Sequence, residues 1–81
     1  MLTELQTDNK LVGLKQSVRA VEGGKAKKLF LATDAESKIK IPVIKACEKK
    51  NVVIEEVPTM AELGEACGIN IGAAVAVILC D

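Results

Sequence analysis

The 81-residue chain has almost no aromatic side chains: Trp and Tyr are absent, and Phe30 is the single Phe. Proteins that bind single-stranded nucleic acid by stacking its bases need exposed aromatic rings, so this kind of binding site is disfavoured. Aliphatic side chains make up most of the 49% of residues that are hydrophobic. We therefore expect a core built almost entirely from Val, Ile, Leu and Ala.

His is also absent, and the three cysteines form no Cys-x-x-Cys pair. A Ser or Cys nucleophile would lack its most common general base, and a zinc site would lack its usual ligand spacing. We expect no catalytic residue, no metal and no cofactor. Cys47, Cys67 and Cys80 stand in apolar contexts, which predicts three buried, reduced thiols. A small thiol-dependent enzyme that uses Cys67, at a predicted helix end, is kept as an alternative.

No apolar run is long enough to span a membrane, and residues 1–10 contain no basic segment followed by an apolar one. The most apolar stretch, Ile69–Cys80, is short and is interrupted by Gly72. The chain shows no internal repeat, low-complexity segment or linker. We expect one domain over residues 1–81, located in the cytoplasm and without a membrane partner.

Charge is balanced in number but not in position, since 11 basic side chains match 11 acidic ones. From Lys10 to Lys28 the basic residues are opposed only by Glu22, whereas residues 55–81 contain acidic residues and no basic one. A protein with zero net charge can still present a basic face to a partner. The alternative is that these lysines simply solvate helix ends and turns.

Apolar periodicity alternates between helix and strand patterns along the chain. The predicted elements are a short helix at 2–7, an extended segment at 11–12, helices at 15–22, from Lys38 or Ile41 to Lys50 and at 60–67, and strands at 29–32, 52–57 and 73–79. In the middle helix Pro42 should lie in the first turn, and three residues should face inward: Val43, Ile44 and Cys47. Strands that alternate with helices predict an α/β fold, here a three-layer α/β/α sandwich with a small mixed sheet.

The segment Gly13–Arg19 is the main functional candidate, because a glycine there precedes an amphipathic helix. Three apolar residues share the side that should be buried: Leu14, Val18 and Val21. Three polar residues share the other side: Lys15, Gln16 and Arg19. Free N–H groups and partial positive charge at a helix N-terminus would suit phosphates or base edges of RNA. The alternative is a solvated helix face without a partner.

A second candidate surface lies where the last helix meets the last strand, at Ile69–Ala74. Asn70 lies at the tip of this loop. The small residues Gly72, Ala73 and Ala74 would let the backbone approach a base closely. If both junctions lie at the same edge of the sandwich, they form a two-part surface. The first part could read base edges and phosphates, and the second could pack against a base that has left its stack.

Three segments resemble the signatures of the kink-turn-binding ribosomal protein family: Gly13–Arg19, Ala32–Glu36 and Leu63–Ala74. The resemblance covers nearly the whole chain in the same order. That family includes an archaeal large-subunit ribosomal protein, a spliceosomal protein and short bacterial relatives. The resemblance implies an α/β/α sandwich that binds a kink-turn, which is an RNA helix bent sharply at an internal loop beside sheared G·A pairs.

The resemblance also implies which residues contact the RNA. The positions that match Lys15, Gln16 and Arg19 contact guanine edges and phosphates. The loop that matches Ile69–Ala73 covers the looped-out nucleotides, and the position that matches Glu36 lies beside an extruded base. The implied RNA-binding residues are Gly13, Lys15, Gln16, Arg19, Glu36, Ile69, Asn70, Ile71, Gly72 and Ala73.

The sequence departs from the archaeal and eukaryotic pattern in two regions. Lys15-Gln16-x-x-Arg19 stands where those members have Asn-Glu-x-x-Lys, and this version is similar to the bacterial branch. Met60 and Ile71 stand where some members have basic residues. These departures imply a different affinity or a different target.

The expected function is therefore non-enzymatic recognition of kink-turn RNA by a monomer, with the ribosome as a candidate partner and with no DNA partner. Ribosomal or regulatory RNA would supply the target. The alternative is a structural or protein-interaction module of ribosomal-protein type whose affinity for RNA is weak. A comparison of a kink-turn RNA with a plain duplex distinguishes the two.

Overall fold

The computed structural model describes residues 5–7 and 9–80. Strands and helices alternate along this part of the chain: β1 (Lys10–Val12), α1 (Leu14–Glu22), β2 (Ala26–Ala32), α2 (Ser37–Lys50), β3 (Val53–Val57), α3 (Met60–Ala66) and β4 (Val75–Leu79). The helix predicted at 2–7 lies largely outside the described residues. None of the helices in the described part of the chain has the length and hydrophobicity that crossing a membrane requires.

The sheet has the strand order β1-β4-β2-β3. β2 and β3 run parallel, whereas β4 is antiparallel to both β1 and β2. As a result, the C-terminal ends of β1, β2 and β3 and the N-terminal end of β4 lie at one edge of the sheet, which we call the loop edge. The loop edge therefore carries the β1–α1 junction, residues 33–36, residues 58–59 and the segment that leads into β4.

Helices cover both faces of the sheet, which confirms the predicted sandwich and mixed sheet. Consecutive residues of β2 alternate between the two faces, as expected for a strand buried on both sides. Leu29 and Leu31 pack in the core that α1 and α2 cover, and Phe30 and Ala32 pack in the core that α3 covers. Leu5 contributes a fully buried side chain to the second core.

The start of β2 differs from the prediction. The strand begins at Ala26, three residues before the predicted start at Leu29. Ala26 pairs with Leu79 of β4, and the Lys28 ammonium lies 2.8 Å from the Glu55 carboxylate on β3. Pairing with the neighbouring strands extends β2 into the basic segment, which the apolar pattern alone excluded from the strand.

Helix α2 also differs from the prediction. It begins at Ser37, so Pro42 lies in the interior of the helix and not in its first turn. Because Pro42 has no N–H, the Lys38 carbonyl lacks its usual hydrogen-bond donor within the helix. Both residues are exposed, so water can reach this carbonyl. The predicted inward position of Ile44 is wrong, because its side chain is 37% exposed and Ala46 is buried beside Val43 instead.

The boundaries of α3 follow the prediction closely. The Thr59 hydroxyl accepts a hydrogen bond of 3.1 Å from the Glu62 N–H, which makes Thr59 the N-cap. Leu63 and Cys67 are buried, and Met60 is half-buried. Gly68 follows the end of the helix with a φ of +80°, as expected for its C-terminal stop.

Candidate nucleic-acid interface

Gly13 joins β1 directly to α1. Its N–H donates a hydrogen bond of 2.9 Å to the Val75 carbonyl of β4, and its carbonyl accepts one of 3.0 Å from the Ser17 N–H. Its backbone angles, φ +117° and ψ 156°, are those that essentially only glycine adopts. A Cβ at this position would also lie 2.8 Å from Oε1 of Gln16. Glycine is therefore required where the chain turns from the sheet into the helix.

The first two turns of α1 expose the three polar side chains that the sequence predicted. Lys15, Gln16 and Arg19 are exposed, whereas Val21 is buried and Leu14 and Val18 pack partly against the core. The N-cap is Gly13, which has no side chain to accept from the first N–H groups of the helix. Those N–H groups and the positive end of the helix dipole therefore face the same region as Lys15 and Gln16.

The segment Ile69–Ala74 is held firmly against α3. Gly64 lies so close to the carbonyl of Ile71 that a Cβ at Gly64 would clash with it. The Ala73 N–H donates a hydrogen bond of 3.0 Å to the Met60 carbonyl, and Gly72 packs directly on Met60. These contacts involve mainly backbone atoms, so they fix the path of the loop.

Within this loop the predicted residues divide into two groups. Asn70, Ile71 and Gly72 are exposed, and Ile71 is the most exposed large hydrophobic side chain described, at 74%. Ile69 packs partly against the core below α3, and Ala73 is buried there. The first three residues form the outer surface of the loop, while the side chains of Ile69 and Ala73 anchor it.

The two predicted surfaces are neighbours. The Gly13 N–H bonds to the Val75 carbonyl, and the Ala32 N–H donates to the Ala74 carbonyl at 2.9 Å. The start of α1 therefore lies beside the end of the loop 69–74, as the two-part surface requires. We call this surface the candidate edge; it consists of the half-buried Gly13 and of the exposed residues Lys15, Gln16, Arg19, Glu36, Asn70, Ile71 and Gly72.

Residues 33–36 complete the loop edge. The Asp34 carboxylate accepts a hydrogen bond of 2.9 Å from the Met60 N–H, and the Thr33 hydroxyl donates one of 3.0 Å to the Pro58 carbonyl. Glu36 is exposed at the N-cap of α2 and lies 3.4 Å from the Lys38 ammonium. Glu36 therefore lies at the same end of the sheet as Gly13 and the loop 69–74.

One residue that the sequence did not single out extends the basic surface. A groove of about 670 Å³ runs along α1, and we call it the basic groove; its lining residues are Leu11, Lys15, Gln16, Arg19, Ala20, Gly23, Lys25 and Leu79. Lys25 follows the turn after α1, at the far end of the groove from Lys15. The only sequence signal for its role was its membership in the basic segment between Lys10 and Lys28.

The three cysteines are free, but they are not all buried. Cys80 is exposed, so the prediction of three buried thiols is wrong at this position, where β4 has ended. Burial raises the pKa of the Cys67 thiol, and the positive charge of Lys10 only partly offsets this rise. Because the thiolate is the nucleophile, this environment works against the enzyme alternative.

Sequence comparison assigns the chain to a known family. The sequence pattern of the Ribosomal protein L7Ae/L30e/S12e/Gadd45 family matches residues 2–81, and the chain belongs to this family. An RNA-binding protein of Geobacillus sp. (strain WCH70) is 41% identical over 75 residues, which cover 93% of this chain and 92% of that protein. The RNA-binding protein YbxF of Geobacillus stearothermophilus is 39% identical over 75 residues, which cover 93% of this chain and 92% of that protein.

Solved structures show the same fold. The 15.5kD RNA binding protein of Giardia lamblia superimposes with a TM-score of 0.88 at 26% identity, over 99% of this chain and 69% of that one. A protein of unknown function from Bacillus halodurans gives a TM-score of 0.85 at 25% identity, over 95% of this chain and 81% of that one. These matches confirm the family resemblance and the α/β fold that the sequence predicted.

Proposed function

We propose that this protein binds RNA and that its target is a kink-turn in a ribosomal or regulatory RNA. The observation that carries the proposal is the hydrogen bond between Gly13 and Val75, which joins the start of α1 to the first residue of β4, directly after the loop 69–74. The bacterial relatives are named RNA-binding proteins, which supports the first part of the proposal. The kink-turn itself rests on the resemblance of the three sequence segments.

Each part of the candidate edge has a distinct role in this proposal. Sharp bending brings phosphates together, and the charges of Lys15 and Arg19 offset their repulsion. Gln16 is neutral and has both a donor and an acceptor, so it orients a base edge without adding charge. The exposed backbone and side chains of Asn70, Ile71 and Gly72 cover a nucleotide that has left the stack.

The protein acts by selecting one shape of the RNA. A ligand shifts a two-state equilibrium only by its differential affinity for the two states, and reversing a 1:99 population needs about a 10⁴-fold preference. A fixed protein surface supplies such a preference, because it fits the bent RNA and does not adjust to the straight one. The backbone contacts of Gly64 and Ala73 supply that fixed surface.

The proposal predicts that the protein bends a kink-turn hairpin in solution. An RNA hairpin with a fluorophore on each stem is titrated with protein at low divalent salt, beside a plain duplex of equal length. We expect energy transfer to rise with protein for the kink-turn RNA, and we expect weaker binding to the duplex. Equal affinity for the two RNAs, with no change in bend, would refute kink-turn recognition.

Such a negative result would favour the protein-interaction alternative. One observation supports that alternative: Ile41 and Ile44 of α2 are large hydrophobic side chains that are 50% and 37% exposed. We propose further that the protein works as a monomer in the cytoplasm and without catalysis. Sedimentation of the free protein tests its oligomeric state directly.

A further inference from the structure

The basic groove along α1 is more extensive than the site implied by the family resemblance. Three elements and one turn line it: α1, the turn after α1, β1 and β4. Its charged lining residues are Lys15, Arg19 and Lys25, and no carboxylate within residues 5–7 and 9–80 lines it. Leu11, Ala20 and Leu79 form its apolar floor. The groove begins at the candidate edge and continues past the end of α1.

The three cations of the groove are available to a partner. Among the residues that the structure describes, no carboxylate forms an ion pair with any of them, whereas Lys28 and Lys38 are paired with Glu55 and Glu36. All three side chains are exposed. Unpaired cations in a row repel one another, and a polyanion relieves this repulsion while it releases its own counterions.

The position of Lys25 is fixed by the fold. Its N–H donates a hydrogen bond of 2.9 Å to the Ala20 carbonyl, and its carbonyl accepts one of 2.7 Å from the Cys80 N–H. The backbone of Lys25 is thus tied to both α1 and the end of β4, and only its side chain is free to reach a partner. Its charge also offsets the partial negative charge at the C-terminal end of α1, which would otherwise repel an anion there.

The arrangement of the charges points to an extended partner. Lys15 and Arg19 are separated by about 6 Å along the axis of α1, at 1.5 Å per residue, and Lys25 lies beyond them. A compact anion can meet only one or two such charges. A sugar-phosphate backbone carries charges at regular intervals and has apolar ribose surface that suits a floor of Leu11 and Leu79.

We propose that the basic groove binds the sugar-phosphate backbone of the RNA and that Lys25 contacts a phosphate outside the nucleotides read by Gln16. This inference rests on the proposed function, since it extends the same RNA along α1. Lys25 adds affinity without adding selectivity, because a phosphate contact does not distinguish a kink-turn from a duplex.

The test is the salt dependence of binding for Lys25→Gln. Affinity is measured for the kink-turn hairpin and for the duplex at several KCl concentrations. We expect log K to depend less steeply on log[salt], with the magnitude of the slope smaller by about 0.7 to 1. The ratio of kink-turn to duplex affinity should stay unchanged. Lys25→Arg should restore the wild-type slope. Lys49→Gln is the matched control, because it removes the same charge from an exposed position on α2 outside the groove.

The outcomes separate the two proposals. If the wild type prefers the kink-turn but Lys25→Gln keeps the wild-type slope on both RNAs, the groove does not bind the backbone and only this inference fails. An acidic protein partner would then be the better explanation of the groove. If the wild type shows no preference but Lys25→Gln still lowers the slope, kink-turn recognition fails and the groove assignment stands. If the wild type binds neither RNA, both proposals fail.

Discussion

At the scale of single residues, the proposed site separates the side chains that contact RNA from those that hold the surface in place. Gln16 and Arg19 are exposed and make no contribution to the core. Ile69 packs partly against the core and Ala73 is buried in it, so RNA can reach Ala73 only through its backbone. Substitutions in the two groups should therefore affect binding and stability in different ways.

Gln16→Ala and Arg19→Ala should each weaken binding to a kink-turn hairpin by about 1 to 3 kcal/mol, because each removes a contact to a base edge or a phosphate. The thermal melt of the free protein should change little, since both side chains are exposed. Fluorescence titration and thermal unfolding measure the two quantities. Lys45→Ala on the exposed face of α2 is the control. Wild-type affinity in either variant would show that the assignment of that residue is wrong.

At the scale of elements, the loop 69–74 depends on its close contact with α3. Gly64 allows that contact, because any larger side chain would meet the Ile71 carbonyl. The loop has no regular secondary structure of its own, and its shape comes from α3 on one side and from β2 and β4 on the other. The binding surface is thus specified by packing between elements.

Gly64→Ala should displace the loop and lower the free energy of unfolding by about 1 to 3 kcal/mol, as expected for overpacking against backbone. Binding to the kink-turn hairpin should weaken as well, at protein concentrations and temperatures where the variant is still folded. Urea denaturation and fluorescence titration measure the two effects. Glu65→Ala, at the exposed neighbouring position, should leave both nearly unchanged. An unperturbed loop in Gly64→Ala would contradict the described packing.

The elements themselves were largely predictable from the sequence, and their deviations have local causes. The N-cap of α3 at Thr59 and its C-terminal end before Gly68 depend on the residue types at those positions. Both could therefore be predicted directly from the sequence. The early start of β2 depends on pairing with β4, which is distant in sequence. Ile44 was misplaced because Val43, Ala46 and Cys47 occupy the buried side of α2, which leaves Ile44 at the margin of that side.

At the scale of the whole molecule, the topology brings the site together. The strand order and the direction of β4 place Gly13 and the loop 69–74 at one edge, although they are far apart in the sequence. The sequence predicted each of the two surfaces. It did not predict that they are adjacent, which was only the condition for a two-part surface. The basic groove was not predicted, because Leu11 and Leu79 become neighbours only when β1 pairs with β4.

The proposed function requires that the start of α1 and the loop 69–74 form one surface for a bent RNA. The most direct test is a titration of ¹⁵N-labelled protein with a kink-turn hairpin, followed by backbone amide chemical shifts. We predict that the amides of residues 13–19 and of residues 70–72 shift together along one binding curve, while those of the exposed face of α2 stay unchanged. Shifts confined to one of the two segments, or centred on Ile41 and Ile44, would show that the two segments do not form one RNA-binding surface.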